Sequence, residues 1–149
     1  MSLAFQSNLV HCVISVAPDS AGIPTADSTE LHAFLADSAE LAGARQLAAG
    51  GIENHIHILL SLPPTLAPSE AIEQMKLLST RWIRGTYPGC RSFTWEDGYT
   101  EFSVGATQMR ETIAYIERQL ECHRKIDYRT ELDLFGEAHH LSAAAALER

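Results

Sequence analysis

Two short motifs about sixty positions apart carry residue types from which a reaction centre can be built: His55-Ile56-His57 inside an apolar run, and Tyr115 followed four residues later by Gln119. In an extended segment alternate side chains share a face, so His55 and His57 point together while Ile56 points away. On a helix, positions i and i+4 are neighbours, which sets the Tyr115 hydroxyl beside the Gln119 amide. Two imidazoles and an amide oxygen can share one divalent cation and leave positions open for phosphate and water. That mixed set suits Mn²⁺ or Mg²⁺ and also admits Zn²⁺ or Ni²⁺. A tyrosine hydroxyl, with an ordinary pKa of about 10, is a weak nucleophile at neutral pH and needs a polarised electrophile. A cation on a phosphate oxygen provides that polarisation and orients the group for in-line attack. The chemistry expected is metal-assisted phosphoryl transfer.

Each motif alone has a plainer reading. A strand HxH is more often structural, with one histidine buried and hydrogen-bonded, and Tyr and Gln one turn apart are an ordinary helix-surface pair. The joint pattern overturns both. For His11, His32 and His123 the structural reading is the favoured one, and His139-His140 reads as solvated.

The wider setting resembles the single-tyrosine HUH transposases of bacterial insertion sequences, including the REP-associated tyrosine transposases. The resemblance runs from Gly51 to Thr65, through Ser79-Thr80-Arg81-Trp82-Ile83, Phe93-Thr94-Trp95, Gly98-Tyr99, Phe102-Ser103-Val104 and Gln108, to Tyr115 through Gln119 and His123-Arg124-Lys125. It covers roughly residues 8–128 in the family's order. The resemblance implies that His55, His57 and Gln119 hold the metal, and that Tyr115 attacks a single-stranded DNA phosphate to form a 5′-phosphotyrosine link, with a DNA hairpin recognised. It also implies a homodimer, because many relatives exchange the tyrosine helix between subunits, with a monomer left open. Asn54 stands where many relatives carry an acidic residue, Leu77-Leu78 replaces a Lys/Gly-containing stretch, and Cys122 interrupts a frequent His pair. These departures are expected to touch DNA affinity and target sequence more than chemistry. Two other functions compete: a domesticated hairpin-DNA-binding regulator that no longer cleaves, and a metal-dependent phosphodiesterase without a covalent intermediate.

A net charge of −8 has the wrong sign for a protein that neutralises phosphates. Its distribution softens the conflict, since nine of the eleven Lys and Arg residues fall between 76 and 129. Lys76, Arg81, Arg84, Arg118 and Arg124 are the candidate phosphate contacts, with hairpin shape and base stacking supplying the rest. Trp95, Tyr99 and Phe102 could stack on bases, although core packing accounts more simply for at least two of them. Three cysteines without CxxC spacing point to reduced thiols rather than a disulfide framework or zinc cluster. No apolar run approaches the roughly 18 residues of a membrane span, and no leader pattern opens the chain, so a cytoplasmic protein is expected.

The elements that must position these residues follow from periodicity and punctuation. Residues 8–16 read as a strand, and Asp27 caps a helix to about Ala44 with Glu30 completing a capping box. Two strands follow, Arg45 to Ile52 and His55 to Leu62, joined at Glu53-Asn54 and stopped by Pro63-Pro64. Pro68 opens a second helix with Ile72, Met75, Leu78 and Trp82 as its apolar stripe. A loop and short edge strand span Tyr87 to Phe102, and Thr107 caps a third helix to about Lys125. The order is that of a ferredoxin-like α+β fold, helices packed on one face of an antiparallel sheet and the tyrosine helix at its edge. The expected organisation is one catalytic domain over 1–129, with a short helix and tail at 130–149.

Overall fold

Residues 7–24 and 28–119, with Thr130 and Leu134, are described by the computed structural model. The β-branched run Leu-Val-His-Cys-Val-Ile-Ser forms β1 (Leu9–Ser15), and α1 (Ser28–Ala42) follows. Next come β2 (Arg45–Ile52), a tight turn at Glu53-Asn54, β3 (His55–Ser61) and α2 (Pro68–Thr86), with Pro68 at the first helical position where its missing N–H costs nothing. A short 3₁₀ turn, Pro88–Cys90, leads to β4 (Thr100–Val104), and a second one, Ala106–Gln108, leads to α3 (Met109–Glu117).

All strand pairings are antiparallel, in the order β2-β3-β1-β4. The histidine strand β3 is therefore interior and held on both sides, as its apolar sequence requires. Register puts Val13 and Gly50 opposite His57, Ser15 and Ile52 opposite His55, and both Leu59 and Phe102 opposite His11. Directly opposed residues share a face. One face thus carries Val10, Cys12, Ile14, Ile56, Ile58 and Leu60, which pack with Leu31, Leu35 and Ala39 of α1 and Ala71, Ile72, Met75 and Ile83 of α2. The opposite face carries His11, His55 and His57, with Leu9, Ala48 and Leu59 packed against Ile116 of α3 in a small apolar cluster. The expected ferredoxin-like architecture is observed, with α1 and α2 layered on one face and α3 lying toward the edge strand β2.

Local expectations differ at three places. The buried stripe of α2 runs through Ile72, Met75, Ser79 and Ile83, because the 3.6-residue period carries Leu78 and Trp82 to the half-buried flank. Trp82 instead stacks on Phe34 of α1, ring centroids 4.9 Å apart at 12°. Thr107 does not cap α3: it sits within the 3₁₀ turn, and the Gln108 side-chain oxygen accepts from the Gly105 N–H at 3.2 Å. Of the three aromatics considered for base stacking, Trp95 and Phe102 are buried and only Tyr99 is half-buried. Asp27, the extension of α3 to Lys125, and the 130–149 tail apart from Thr130 and Leu134 lie outside the described residues. Among the described residues no helix is long and apolar enough to cross a membrane.

Candidate metal and nucleophile site

His55 and His57 project from β3 toward α3, each fully buried, with ring centroids 5.0 Å apart. What brings α3 down onto them is a glycine. A Cβ at Gly50 would lie 2.0 Å from the Ile116 carbonyl oxygen, so only glycine lets the helix backbone approach β2 this closely. The approach sets the Tyr115 ring 5.7 Å from His57 and buries Gln119. The regular helix ends at Glu117, and the Gln119 amide folds back, its Nε2 toward the Tyr115 carbonyl at 3.5 Å and its Oε1 toward His55 Nε2 at 3.3 Å. His55 and Gln119, 64 positions apart in sequence, thus meet on one buried patch.

The hydrogen-bond partners constrain what this patch can hold. His55 faces an amide oxygen on each side, Asn54 Oδ1 at 2.6 Å from Nδ1 and Gln119 Oε1 at 3.3 Å from Nε2. A neutral imidazole has one N–H and can satisfy only one of them. With Nδ1–H donating to Asn54, Nε2 and Gln119 Oε1 present lone pairs to the same space, an arrangement that a cation completes. Two ligand atoms each about 2.1 Å from a metal stand about 3.0 to 3.4 Å apart for octahedral to tetrahedral angles. The observed 3.3 Å fits. His57 Nδ1 is likewise engaged, 2.7 Å from His11 Nε2, which leaves Nε2 as the nitrogen that would meet a metal. Among the described residues no trio of His, Cys, Asp or Glu gathers for a metal; here the third donor is an amide.

Two findings add to the sequence reading. Asn54 was expected to act around the site, yet it contacts a candidate ligand directly and offers through its amide the oxygen that a carboxylate would offer. His11, for which the structural reading was favoured, is buried and hydrogen-bonded as that reading expects, and its partners are those of the candidate site, its ring against His57 at 4.9 Å, Phe102 at 6.1 Å and Tyr115 at 6.2 Å. The available signal was its place in a buried strand in phase with the residues of the histidine face, which needs the β1–β3 register to interpret. His32 stays apart on α1, half-buried, where desolvation lowers its pKa.

Clefts open on either side. One of about 380 Å³ is lined by Val13, Ser15, Glu96, Asp97, Gly98, Tyr99 and Thr100, and one of about 310 Å³ includes His32, Gly50, Ile52, Glu117 and Gln119 in its lining. Neither lining contains Lys or Arg.

The candidate phosphate contacts are scattered. Lys76 is buried and donates to the Glu96 carbonyl at 2.9 Å and to that of Gly98; burial lowers its pKa, with Glu73, Asp97 and Glu96 acting against the shift. It anchors the loop before β4 rather than presenting its charge at the surface. Arg84, which is exposed, also holds this loop, Nε donating to the Phe93 carbonyl at 2.8 Å and Nη2 to Thr94 Oγ1 at 3.3 Å. Arg81 is exposed on α2, which packs on the sheet face opposite the histidines, and Arg118 is exposed beside Gln119. Arg124 lies outside the described residues.

A family model described as "Transposase IS200 like" matches residues 4–119. No curated protein matches the chain. Among solved structures, a Deinococcus radiodurans R1 protein designated a transposase is similar at 18% identity and a TM-score of 0.61, over 80% of this chain and 98% of that one. A REP-associated tyrosine transposase solved with a REP hairpin is similar at 15% identity and a TM-score of 0.55, over 78% of this chain and 70% of that one.

Proposed function

This chain belongs to the IS200-like transposases, which are HUH enzymes, and on that footing we propose that it cleaves and rejoins single-stranded DNA through a covalent 5′-phosphotyrosine intermediate. His55, His57 and Gln119 hold one divalent cation, Tyr115 is the nucleophile, and the catalytic unit extends to about residue 129. The observation that carries this reading is the approach of His55 Nε2 to Gln119 Oε1 at 3.3 Å, the spacing of two atoms that share a cation, with the Tyr115 ring 5.7 Å from His57. When bound, Mg²⁺ or Mn²⁺ supplies Lewis-acid polarisation and neutralises phosphate charge, a need made acute because the linings of the flanking clefts contain Glu96, Asp97 and Glu117 and no Lys or Arg.

The residues perform the rest. Tyr115 Oη attacks phosphorus in line, losing its proton as the new O–P bond forms. The bond to the departing 3′ oxygen breaks, and that oxygen takes up a proton to become a 3′-hydroxyl. Rejoining runs the same exchange backward from an incoming 3′-hydroxyl. Gly50 and Ile116 seat the helix that carries the nucleophile, and rigid seating of this kind is what turns proximity into rate.

A hairpin is the recognition element we assign, supported by the likeness to a fold solved with a REP hairpin. With Lys76 and Arg84 bound to the loop between Phe93 and Gly98, phosphate contacts fall to Arg81, Arg118 and Arg124. The test is a labelled hairpin oligonucleotide incubated with Mn²⁺. A protein–DNA band resistant to denaturation is expected, absent in EDTA and in Tyr115→Phe. An equal amount of adduct in that variant removes Tyr115 from its role.

A further inference from the structure

His11 is a fully enclosed polar side chain on the central strand β1, and the reaction as described makes no use of it. A lone histidine in an apolar strand costs free energy unless its nitrogens are paired. Here one of them is: Nε2 lies 2.7 Å from His57 Nδ1. Only one proton can lie between the two nitrogens, and its position decides which face of His57 binds a metal. If His57 Nδ1 carries it, His57 Nε2 holds a lone pair; if His11 carries it, His57 Nδ1 is the acceptor and Nε2 keeps a proton that would exclude a cation. The same His11 ring meets the Tyr115 ring edge-on at 6.2 Å, so one side chain touches both the candidate ligand and the nucleophile. His11 sits in mid-strand, with β3 on one side and β4 on the other, a more rigid mount than a loop.

We propose that His11 is a positioning residue: its Nε2 accepts from His57 Nδ1–H, holds His57 in the tautomer that presents Nε2 to the divalent cation, and buttresses the Tyr115 ring. Asn54 performs the first of these tasks for His55, so each candidate histidine ligand has its Nδ1 held by a different neighbour. The inference rests on the metal assignment above. Outer partners of metal-bound histidines change metal affinity by about 10- to 100-fold when lost.

Two measurements test it. In the metal-free, unsubstituted protein, long-range ¹H–¹⁵N imidazole spectra should show His57 protonated on Nδ1; protonation on Nε2 overturns the proposal whatever happens to activity. Mn²⁺ affinity, read by electron paramagnetic resonance titration, should fall about tenfold or more in His11→Phe, which keeps the ring without an acceptor, and return in His11→Gln, whose amide oxygen reaches a similar position. Unchanged affinity in His11→Phe overturns it, as does a loss that His11→Gln fails to repair, because packing alone would then be the cause. Should His11→Phe not fold, the tautomer still decides. An unsubstituted protein that binds no Mn²⁺ would sink the metal assignment itself, while the tautomer would separately report on His11.

Discussion

On β3, Ile56, Ile58 and Leu60 enter the core beneath α1 and α2, whereas His55, His57 and Leu59, alternating with them, lie under α3 among His11, Gln119 and Tyr115. The first face is held by a broad apolar cluster in which each residue has many neighbours. The second has four buried apolar members and a set of polar groups in contact: His11 with His57, and His55 between the amide oxygens of Asn54 and Gln119. Period-two alternation lets one strand serve stability with its even positions and chemistry with its odd ones. Substitutions on the two faces should therefore separate folding from function, and each expectation below either breaks that separation or sharpens it.

The largest effect belongs to His57→Ala. Mn²⁺ affinity and adduct formation should drop by more than about 100-fold, while urea unfolding of the metal-free protein shifts by about 1 to 3 kcal/mol, the cost of removing the partner of buried His11. A larger loss of stability would make the histidine face part of the folding core. Next is Gly50→Ala, which puts a methyl 2.0 Å from the Ile116 carbonyl and forces α3 off the sheet. It should cost about 1 to 3 kcal/mol as overpacking and up to about 100-fold in adduct yield through misplacement of Tyr115. This position is the one where the two faces' properties should fuse.

Ile58→Ala is the converse. Its side chain is fully buried on the face under α1 and α2, so a cost of about 2 to 5 kcal/mol is expected, with the Mn²⁺ affinity of the remaining folded protein unchanged. A lost metal site would show that the two faces are coupled through the strand. Arg81→Ala should leave stability alone and flatten the slope of log affinity against log salt by about 0.7 on single-stranded substrate. Lys76→Met should instead loosen the loop between Glu96 and Gly98, visible as faster amide exchange there.

A further expectation concerns pH dependence. Burial, with Glu101 beside it, pushes the Cys12 thiol up from 9.0 to about 12, and burial with Glu101 pushes Tyr99 up from 10.0 to about 12. Both keep their protons longer in the fold than in the unfolded chain. Their contribution is fully present below about pH 9 and is lost as pH rises toward about 12. Denaturation midpoints measured between these values should fall, and Cys12→Ser should remove part of that fall.

Much of this was legible in the residues. Alternation put His55 and His57 on one face, Pro63-Pro64 and Pro68 punctuated the chain as expected, and the strand and helix order led to the observed sheet. Local signals did less well where a side chain's partner lies far along the chain. Lys76, read as a surface charge, lies close to two carbonyls some twenty residues away, and the Thr107 cap yielded to a hydrogen bond by Gln108.

What the sequence determined by itself is whatever depends on near neighbours: the period of each element, the side on which each residue falls, and the donor types on offer. Tertiary structure decided which of those faces meet. His11 and His57 are 46 positions apart, and Gly50 admits the Ile116 backbone from across the chain. Register between β1 and β3, and the close descent of α3 over a residue without a Cβ, set those meetings. Both are properties of packing between segments, and no local periodicity contains them.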